Sequence, residues 1–532
     1  MKRMKRLAAL ALTLCLLCGC GGSEQTQSEE APEVVAGVSG GKPLTVRAAA
    51  DDLFSLNFDP AAGTNPIRTD SAVNTQFWSL LYDSVFTLEE DFTTVTSRVV
   101  TDWTTDDYIW WVFRIDTGLR FSDGSPLTAG DIAYSINQAK QSAYYSGRLR
   151  CMYGCSALDE GSFAISTPQA DSLLPAMLNI PIIKRGDAGE TDPVGSGPYR
   201  LREDRAALVP NPEYSGGKVP LDIIRLRDYM DPGARISAFE DGEIDLVTND
   251  PTGMYNLGYG SSETRYYDTT NLHFIGFNTR GNYFQSPQAR RAVSYLIDRE
   301  YMTEELMQGC GVPATLPVHP KCPLYDGEYA SRFRYDPETA AALLREAGVE
   351  DLDDDGKPEI LVTGIVVELN IRFIVNSDSS VKLAEARRLT EELNALGITT
   401  TLQELSWNDY TEALRKGEFD MYYGELRLGA DWNLTSLFRV PDLNARNVSW
   451  GMNYGRVADR TLQELYAAFL AAPEEARYDA CQAAVQAVCE GGYLIPICFE
   501  RRQVLTRRGV VSGLRPTQYD IFSGFLDWTF HL

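Results

Sequence analysis

Apolar positions along the chain alternate between strand-like and helix-like spacing. Thr128 and Asp131 have the spacing of a capping box, which predicts the start of a helix that continues through Ile132 and Ile136. Just before them, every second residue is apolar ahead of an Asp-Gly turn at 123–124, which predicts a strand: Ile109, Trp111, Phe113 and Ile115.

Three later segments have helical spacing. A capping residue followed by proline occurs at Ser286-Pro287 and again at Asp336-Pro337, and each pair predicts a helix start. Leucines at 389, 393 and 396 predict a third helix that ends near Gly397. Residues 398–402 then alternate as a strand, so the chain is predicted to be of mixed α and β class.

The N-terminus has a different pattern. An apolar run at 7–17 follows four basic residues and is too short to span a bilayer, which predicts a signal peptide over residues 1–19. The run ends in Leu-Cys-Gly-Cys, which resembles a bacterial lipobox, and the resemblance implies acylation of Cys20. A plain secretory signal with an incidental Cys20 is the alternative interpretation.

Residues 20–43 are rich in Ser, Glu, Gln and Gly, a composition that predicts a flexible tether. Beyond them, no run of about 18 apolar residues follows, so the expected membrane attachment is by lipid only.

Composition narrows the class of partner. The 532 residues include 74 acidic and 49 Lys or Arg side chains, a formal net charge of −25, and a chain this acidic repels phosphate backbones. Nucleic acid is therefore not an expected partner. The hydrophobic fraction of 44% is enough for two or three folded domains.

The cysteine pattern permits disulfides without fixing them. Seven of the ten cysteines follow Cys20, an odd number, so at least one thiol is expected to stay free. Two pairs are close enough in sequence to bond across loops, namely Cys151 with Cys155 and Cys310 with Cys322. Helical spacing would hold Cys481 and Cys489 about 12 Å apart, too far to bond.

Catalytic and cofactor motifs are missing from the sequence. The chain has three histidines and no HExxH, GxSxG, P-loop or dinucleotide fingerprint, so we expect no catalytic residues and no cofactor. Residues 351–356 have the spacing of a calcium loop, but Val362 replaces the expected twelfth-position glutamate. An exposed hairpin turn and a weak ion site both remain open there.

A series of phrases in a fixed order resembles one family, the extracellular solute-binding proteins of family 5, which are receptors of peptide and nickel importers. The resemblance covers roughly residues 44–532. The phrases are LFSLN at 53–57, LYDSV at 81–85, LRFSDGSPLTAGD at 119–131, PVGSGPY at 193–199, FEDGEID at 239–245, FNT at 277–279, RRAV at 290–293, IDRE at 297–300, YDPE at 335–338, LLREAG at 343–348 and GEFDM at 417–421.

The resemblance implies a two-lobed periplasmic-binding-protein-like α/β fold of type II, cluster C, with an extra inserted domain. By this resemblance, lobe I comprises residues 44–70, 193–272 and 500–532. The inserted domain comprises residues 71–192, and lobe II comprises residues 273–499. The lobes of this family enclose a deep cleft and close over ligand by a hinge motion.

The implied function is that of the substrate-binding component of an ABC importer. It would be a lipid-anchored, extracytoplasmic monomer that delivers a short peptide to a membrane permease, with no enzymatic turnover. A nickel chelate, haem or an oligosaccharide is the alternative cargo, and a surface hydrolase is the alternative function.

The stretch 422–433 resembles the ligand-binding segment of peptide-binding members. A glycine and an aspartate line the cleft in those relatives, and the aspartate holds the ammonium group of the peptide. Gly429 and Asp431 match that pattern, and Trp432 follows them. The aromatic residue that relatives often carry near Leu428, and their acidic residue with proline near 434–435, are absent here.

Overall fold

The computed structural model describes residues 53–69, 71–250, 262–281, 283–362, 364–442 and 449–532. The signal peptide, Cys20 and the tether lie outside these residues. Within them the chain forms 22 strands: β1 (Ser55–Asn57), β2 (Thr87–Leu88), β3 (Val95–Thr96), β4 (Val100–Thr105), β5 (Trp110–Ile115), β6 (Gly154–Ala157), β7 (Ser162–Ser166), β8 (Tyr199–Leu201), β9 (Ala207–Pro210), β10 (Ile224–Arg227), β11 (Leu246–Asn249), β12 (Ser262–Phe277), β13 (Gly311–Pro313), β14 (Val349–Glu350), β15 (Glu359–Val362), β16 (Ile365–Glu368), β17 (Asn370–Asn376), β18 (Thr399–Leu405), β19 (Met421–Arg427), β20 (Leu494–Arg507), β21 (Val511–Ser512) and β22 (Thr529–Phe530).

The same residues form thirteen α-helices: α1 (Trp78–Leu81), α2 (Ala129–Ala139), α3 (Leu174–Met177), α4 (Pro232–Glu240), α5 (Pro287–Ser294), α6 (Arg299–Tyr301), α7 (Gly327–Ala330), α8 (Pro337–Glu346), α9 (Ser380–Ala395), α10 (Trp407–Lys416), α11 (Thr435–Phe438), α12 (Arg460–Ala471) and α13 (Glu474–Gly491). The predicted capping box at Thr128 and Asp131 starts α2. Ser286 and Asp336 cap α5 and α8, as predicted. Gly397 follows α9 with a φ of +80°, a conformation that favours glycine.

One large sheet connects most of the described chain. Its strands lie in the order β18-β17-β19-β12-β20-β11-β1-β10-β9-β8, with β13 beside β20. A separate sheet of order β4-β5-β7-β6 belongs to the segment between α1 and α3, and a three-stranded sheet contains β14, β15 and β16. The strand predicted around residues 109–115 is β5. The mixed α/β class predicted from the sequence is confirmed.

The two long strands β12 and β20 link the halves of the large sheet. Residues 262–268 of β12 pair with the end of β20 that also contacts β11, whereas residues 271–277 pair with β19. The register shifts between Asp268 and Leu272, so the ladder is irregular where the two halves meet. The predicted lobe boundaries at 272 and 499 fall within these two strands, and the domain limits themselves remain predictions.

Separate cores lie on either side of this junction. One cluster of buried side chains is built from residues before 250 and after 503, and it includes Phe54, Phe113 and Trp528. Two other clusters are built mainly from residues 272–499. Phe92 and Leu173 come from the predicted inserted domain but pack in one of these two clusters, so apolar contacts join that domain to the second half of the sheet.

The cysteines and the aspartate-rich turn have simple structures. All seven described cysteines are free, so neither Cys151 and Cys155 nor Cys310 and Cys322 form the disulfide that their spacing permits. Burial places most of these thiols in apolar surroundings, where they act as small core side chains. Residues 351–356 form an exposed turn between β14 and β15. Asp351 accepts hydrogen bonds there from the backbone of Asp355 and Gly356.

Among the described residues, no helix combines the length and the apolar character that a membrane crossing requires.

Candidate ligand-binding site

A cavity of about 270 Å³ lies where α1, the junction of the large sheet and the C-terminal segment meet. The first wall comes from α1 and its neighbours at 72–87, and a second wall comes from residues 144–148 with Asn179 and Pro181. The large sheet contributes Thr248, Tyr267, Arg427 and Arg502, and residues 518–521 complete the enclosure. Because these walls come from distant parts of the chain, the cavity exists only in the folded protein.

Aromatic side chains form much of the wall. Trp78 and Tyr144 contact edge to face, with their ring centroids 6.0 Å apart, and Tyr144 packs on Tyr145 at 4.7 Å. Tyr267 and Tyr519 face the cavity from other segments. Rigid aromatic surfaces with a few polar groups are typical of small-molecule sites.

Three arginines and one aspartate supply the formal charges of this wall. Arg148 lies 5.0 Å from the ring centroid of Tyr145, and its guanidinium donates a hydrogen bond to the carbonyl of Asn179. Asp520 accepts hydrogen bonds from the Ser79 hydroxyl at 2.6 Å and from the Phe522 amide at 2.8 Å. Burial raises the pKa of Asp520, so the wall carries more positive than negative charge.

Asp431 lies in the loop after β19, buried to 7% exposure. Burial raises the pKa of its carboxyl to about 6, although the amide of Asn433 donates a hydrogen bond to it at 3.3 Å. The pKa of Asp171, on the segment before α3, is raised to about 7 by burial and by the charge of Asp431. In the described part of the chain neither carboxylate has an ion-pair partner.

Gly429 and Trp432 lie against Asp431 but have different surroundings. A Cβ atom on Gly429 would lie 2.5 Å from Oδ1 of Asp431 and 3.3 Å from the Met177 methyl, so a larger residue here would displace the Asp431 carboxylate. Trp432 is fully buried with a φ of +50°, and its ring packs between Phe92 and Phe499. The structure therefore brings the three predicted site residues together, next to the cavity wall but not on it.

Two contacts connect the aspartate pair with the cavity. Arg148 and Cys151 occupy the same short 3₁₀ helix, and after burial the charges of Asp171 and Asp431 are the next causes of the raised pKa of Cys151. Tyr519 lines the cavity and also packs against the small apolar cluster that contains Met177. The aspartate pair therefore lies near the 3₁₀ helix that also supplies Arg148 to the cavity wall.

A buried network of charged and polar side chains links strands of the large sheet beside this site. His273 on β12 has a ring nitrogen 3.0 Å from Glu500 Oε1, and its other ring nitrogen lies 2.7 Å from the Tyr423 hydroxyl, which donates to Glu385. Burial alone would lower the pKa of His273, but its interactions with Glu385 and Glu500 raise it to about 9. The imidazole is therefore charged at neutral pH. Arg502 lies 3.5 Å from the other oxygen of Glu500.

Comparison with known proteins identifies the chain. The family model described as "Bacterial extracellular solute-binding proteins, family 5 Middle" matches residues 94–446, about two thirds of the sequence. The chain belongs to this family. The resemblance drawn from the sequence phrases is thereby confirmed, and the family is one of extracellular receptors for solutes.

Curated relatives of this family 5 protein include peptide receptors. It is 23% identical over 491 residues to the oligopeptide-binding protein AppA of Bacillus subtilis, covering 85% of this chain and 86% of AppA. It is 24% identical over 466 residues to the di/tripeptide-binding protein 2 of Pseudomonas aeruginosa, covering 80% and 83% of the two chains. Both matches cover at least 80% of this chain.

Solved structures show the same fold. The structure of AppA from Bacillus subtilis in complex with a nonapeptide aligns with a TM-score of 0.62 at 17% identity, covering 90% of this chain and 99% of AppA. The likeness confirms the two-lobed α/β architecture predicted for this family 5 protein.

Several charged residues around the site were missed from the sequence. Arg148, Arg502 and Asp171 lie far from the segment 422–433, and no local motif distinguishes them from surface residues. Arg427 is the last residue of β19 and lies two positions before Gly429, so its closeness in sequence was the one available signal. Arg427 and Arg502 come together because β12 pairs with both β19 and β20, whereas Arg148 reaches the same cavity from the predicted inserted domain.

Proposed function

We propose that this family 5 protein captures a short peptide in the cavity between its lobes and delivers it to the permease of an ABC importer. The family assignment and the names of the relatives support this role. The observation that carries the choice of a peptide is the pair formed by Asp171 and Asp431. Two buried carboxylates with raised pKa values and no described ion-pair partner are suited to receive a cation.

A peptide ammonium is the cation that fits this place. A receptor that accepts many sequences has to recognise what all peptides share, which is the terminal ammonium and the backbone. An ammonium that reaches Asp171 and Asp431 beside the cavity would form charge-assisted hydrogen bonds with these buried carboxylates. The cavity volume of about 270 Å³ is at the lower end of the range for ligand pockets, which favours a short peptide.

Binding to the wild-type protein tests the proposal. Calorimetry with the mature domain should detect trialanine, whereas N-acetyltrialanine, which lacks the ammonium, should bind at least tenfold more weakly. We also expect the bound peptide to be recovered unchanged, because a receptor does not require groups that stabilise a transition state.

Control ligands test whether the cargo is a peptide. A nickel chelate, haem and maltotriose represent the alternative cargoes. Binding of each is measured as a rise in the midpoint of thermal unfolding, because any ligand of the folded state raises that midpoint. Equal affinities for the free and acetylated peptides would contradict the ammonium site. A cleaved peptide in the mass spectrum would contradict the receptor role.

We also propose that the mature protein is held at the extracytoplasmic face of the membrane by acylation of Cys20. The substitution Cys20→Ala is expected to move the protein from the membrane fraction to the soluble extracytoplasmic fraction, because stable retention by lipid needs two or more acyl chains. Cell fractionation with a salt wash measures this, and Cys18→Ala is the matched control. Retention of Cys20→Ala in washed membranes would contradict lipid anchoring.

A further inference from the structure

The cavity has more unsatisfied hydrogen-bond donors than acceptors. Trp78 is 8% exposed, and its indole Nε1 has no acceptor among the described residues. The Nε atoms of Arg148 and Arg502 also lack an acceptor within that part of the chain. The acceptor Asp520, in contrast, already binds a hydroxyl and an amide. Buried donors normally have partners, so these three donors are available to the acceptor groups of a ligand.

Two of the arginines also lack a negative counter-charge. Arg148 donates to a backbone carbonyl and stacks on a tyrosine, and no described carboxylate lies within ion-pair distance of it. The guanidinium of Arg427, at the end of β19, has no side-chain hydrogen bond and no ion pair with any described residue. Arg502 differs, because it lies 3.2 Å from Asp250 and 3.5 Å from Glu500.

The positive charge of these two guanidinium groups is opposite in sign to the net charge of the protein. The sequence carries a formal net charge of −25, yet two of the three arginines that line this cavity have no ion-pair partner among the described residues. Burial lowers the pKa of Arg148, and the positive charge of Arg427 lowers it further, while the neighbouring tyrosines oppose the shift. Two like charges that line one cavity favour the entry of anions.

We propose that the cavity selects a solute with two negatively charged groups, one for Arg148 and one for Arg427, with Trp78 as an additional donor. A short peptide that ends in an acidic residue has this chemistry, because it carries a side-chain carboxylate as well as the terminal carboxylate. The proposal rests on the solute-binding role of the cavity proposed above, and it adds a charge preference that a sequence-tolerant receptor would lack.

A matched pair of dipeptides tests the preference. Alanylglutamate and alanylglutamine have nearly the same shape and differ by one negative charge. Calorimetry with the mature domain should give at least tenfold tighter binding of alanylglutamate. Arg427→Gln should reduce this ratio to less than threefold. Arg427 is exposed and unpaired, so its substitution leaves the fold intact; Arg387→Gln, which breaks a surface pair with Glu404, is the control and should keep the ratio.

The outcomes separate this inference from the peptide proposal. Equal binding of the two dipeptides, or an unchanged ratio in Arg427→Gln, would overturn the charge preference and leave the peptide proposal intact. If neither dipeptide binds, the peptide proposal fails, and glutarate with its uncharged analogue glutaramide decides the inference. If glutarate binds, glutaramide does not, and Arg427→Gln no longer binds glutarate, the preference for a dianionic solute is supported. If glutarate does not bind, the charge preference is overturned.

Discussion

Replacing Asp431 by asparagine is expected to weaken the binding of free-amine peptides by about 2 to 5 kcal/mol, and to stabilise the ligand-free protein at pH 8. The loss of affinity follows because the amide has nearly the shape of the carboxylate but no charge for the ammonium. The gain of stability follows from the raised pKa of Asp431, about 6. The folded state therefore binds the Asp431 proton more tightly than the unfolded state does. The resulting stabilisation is complete below the ordinary pKa of an aspartate and is lost as the pH rises through 6.

At pH 8 the buried Asp431 carboxylate therefore lowers the free energy of unfolding by up to about 3 kcal/mol, which the asparagine variant recovers. Calorimetry with trialanine and urea unfolding at pH 5 and pH 8 measure the two effects. Asp354→Asn, in the exposed turn after β14, is the matched control and should change neither quantity. Unchanged peptide affinity in a normally folded Asp431→Asn protein would remove Asp431 from the site.

Replacing Glu500 by alanine is expected to lower the free energy of unfolding by about 3 to 5 kcal/mol at pH 7. Burial alone would raise the pKa of Glu500, but a hydrogen bond with His273 and the charges of His273 and Arg502 hold it well below its usual range. Glu500 also accepts a hydrogen bond from Asn271 at 2.7 Å. The substitution would leave a buried imidazolium without its 3.0 Å partner.

The pH dependence of stability gives this prediction an independent readout. The pKa of His273 is about 9, above its ordinary value of about 6.5, so the histidine stabilises the protein fully below pH 6.5 and loses that contribution as the pH rises through 9. Urea unfolding of the wild type should show a loss of about 3 kcal/mol over this interval. The loss should be smaller in Glu500→Ala, whereas Glu500→Gln, which keeps an acceptor, should be destabilised less at pH 7. A change below 1 kcal/mol for Glu500→Ala would contradict the ion pair.

Local signals predicted the elements well because the forces that end and start helices are local. The capping box at Thr128 and the Ser-Pro and Asp-Pro starts each satisfy amide groups of their own first turn, so neighbouring residues suffice to reveal them. Disulfides were less predictable. Spacing permits two pairs, yet all seven described cysteines are free, because bonding requires particular distances and directions that sequence separation does not define.

The site was predicted only in part. The segment resemblance selected Gly429, Asp431 and Trp432, and the structure places them in mutual contact beside the cavity. Trp432 is packed between two phenylalanine rings, so its main contacts are those of a core residue. Asp171, the second carboxylate, comes from a segment about 260 positions earlier, and no periodicity in either segment indicates that the two approach each other.

The sequence by itself determined the mixed α/β class, the family, the starts of α2, α5 and α8 and the acidic character of the chain, because these follow from short-range spacing, from ordered phrases and from composition. Only the tertiary structure decided the charge of the cavity. No local pattern marks Arg148, Arg427 or Arg502 in the acidic sequence. Arg427 and Arg502 share one cavity wall because β12 pairs with both β19 and β20, and Arg148 joins them from the 3₁₀ helix at 148–151. Electrostatic interactions depend on distance in space, and distance in space is a property of the fold.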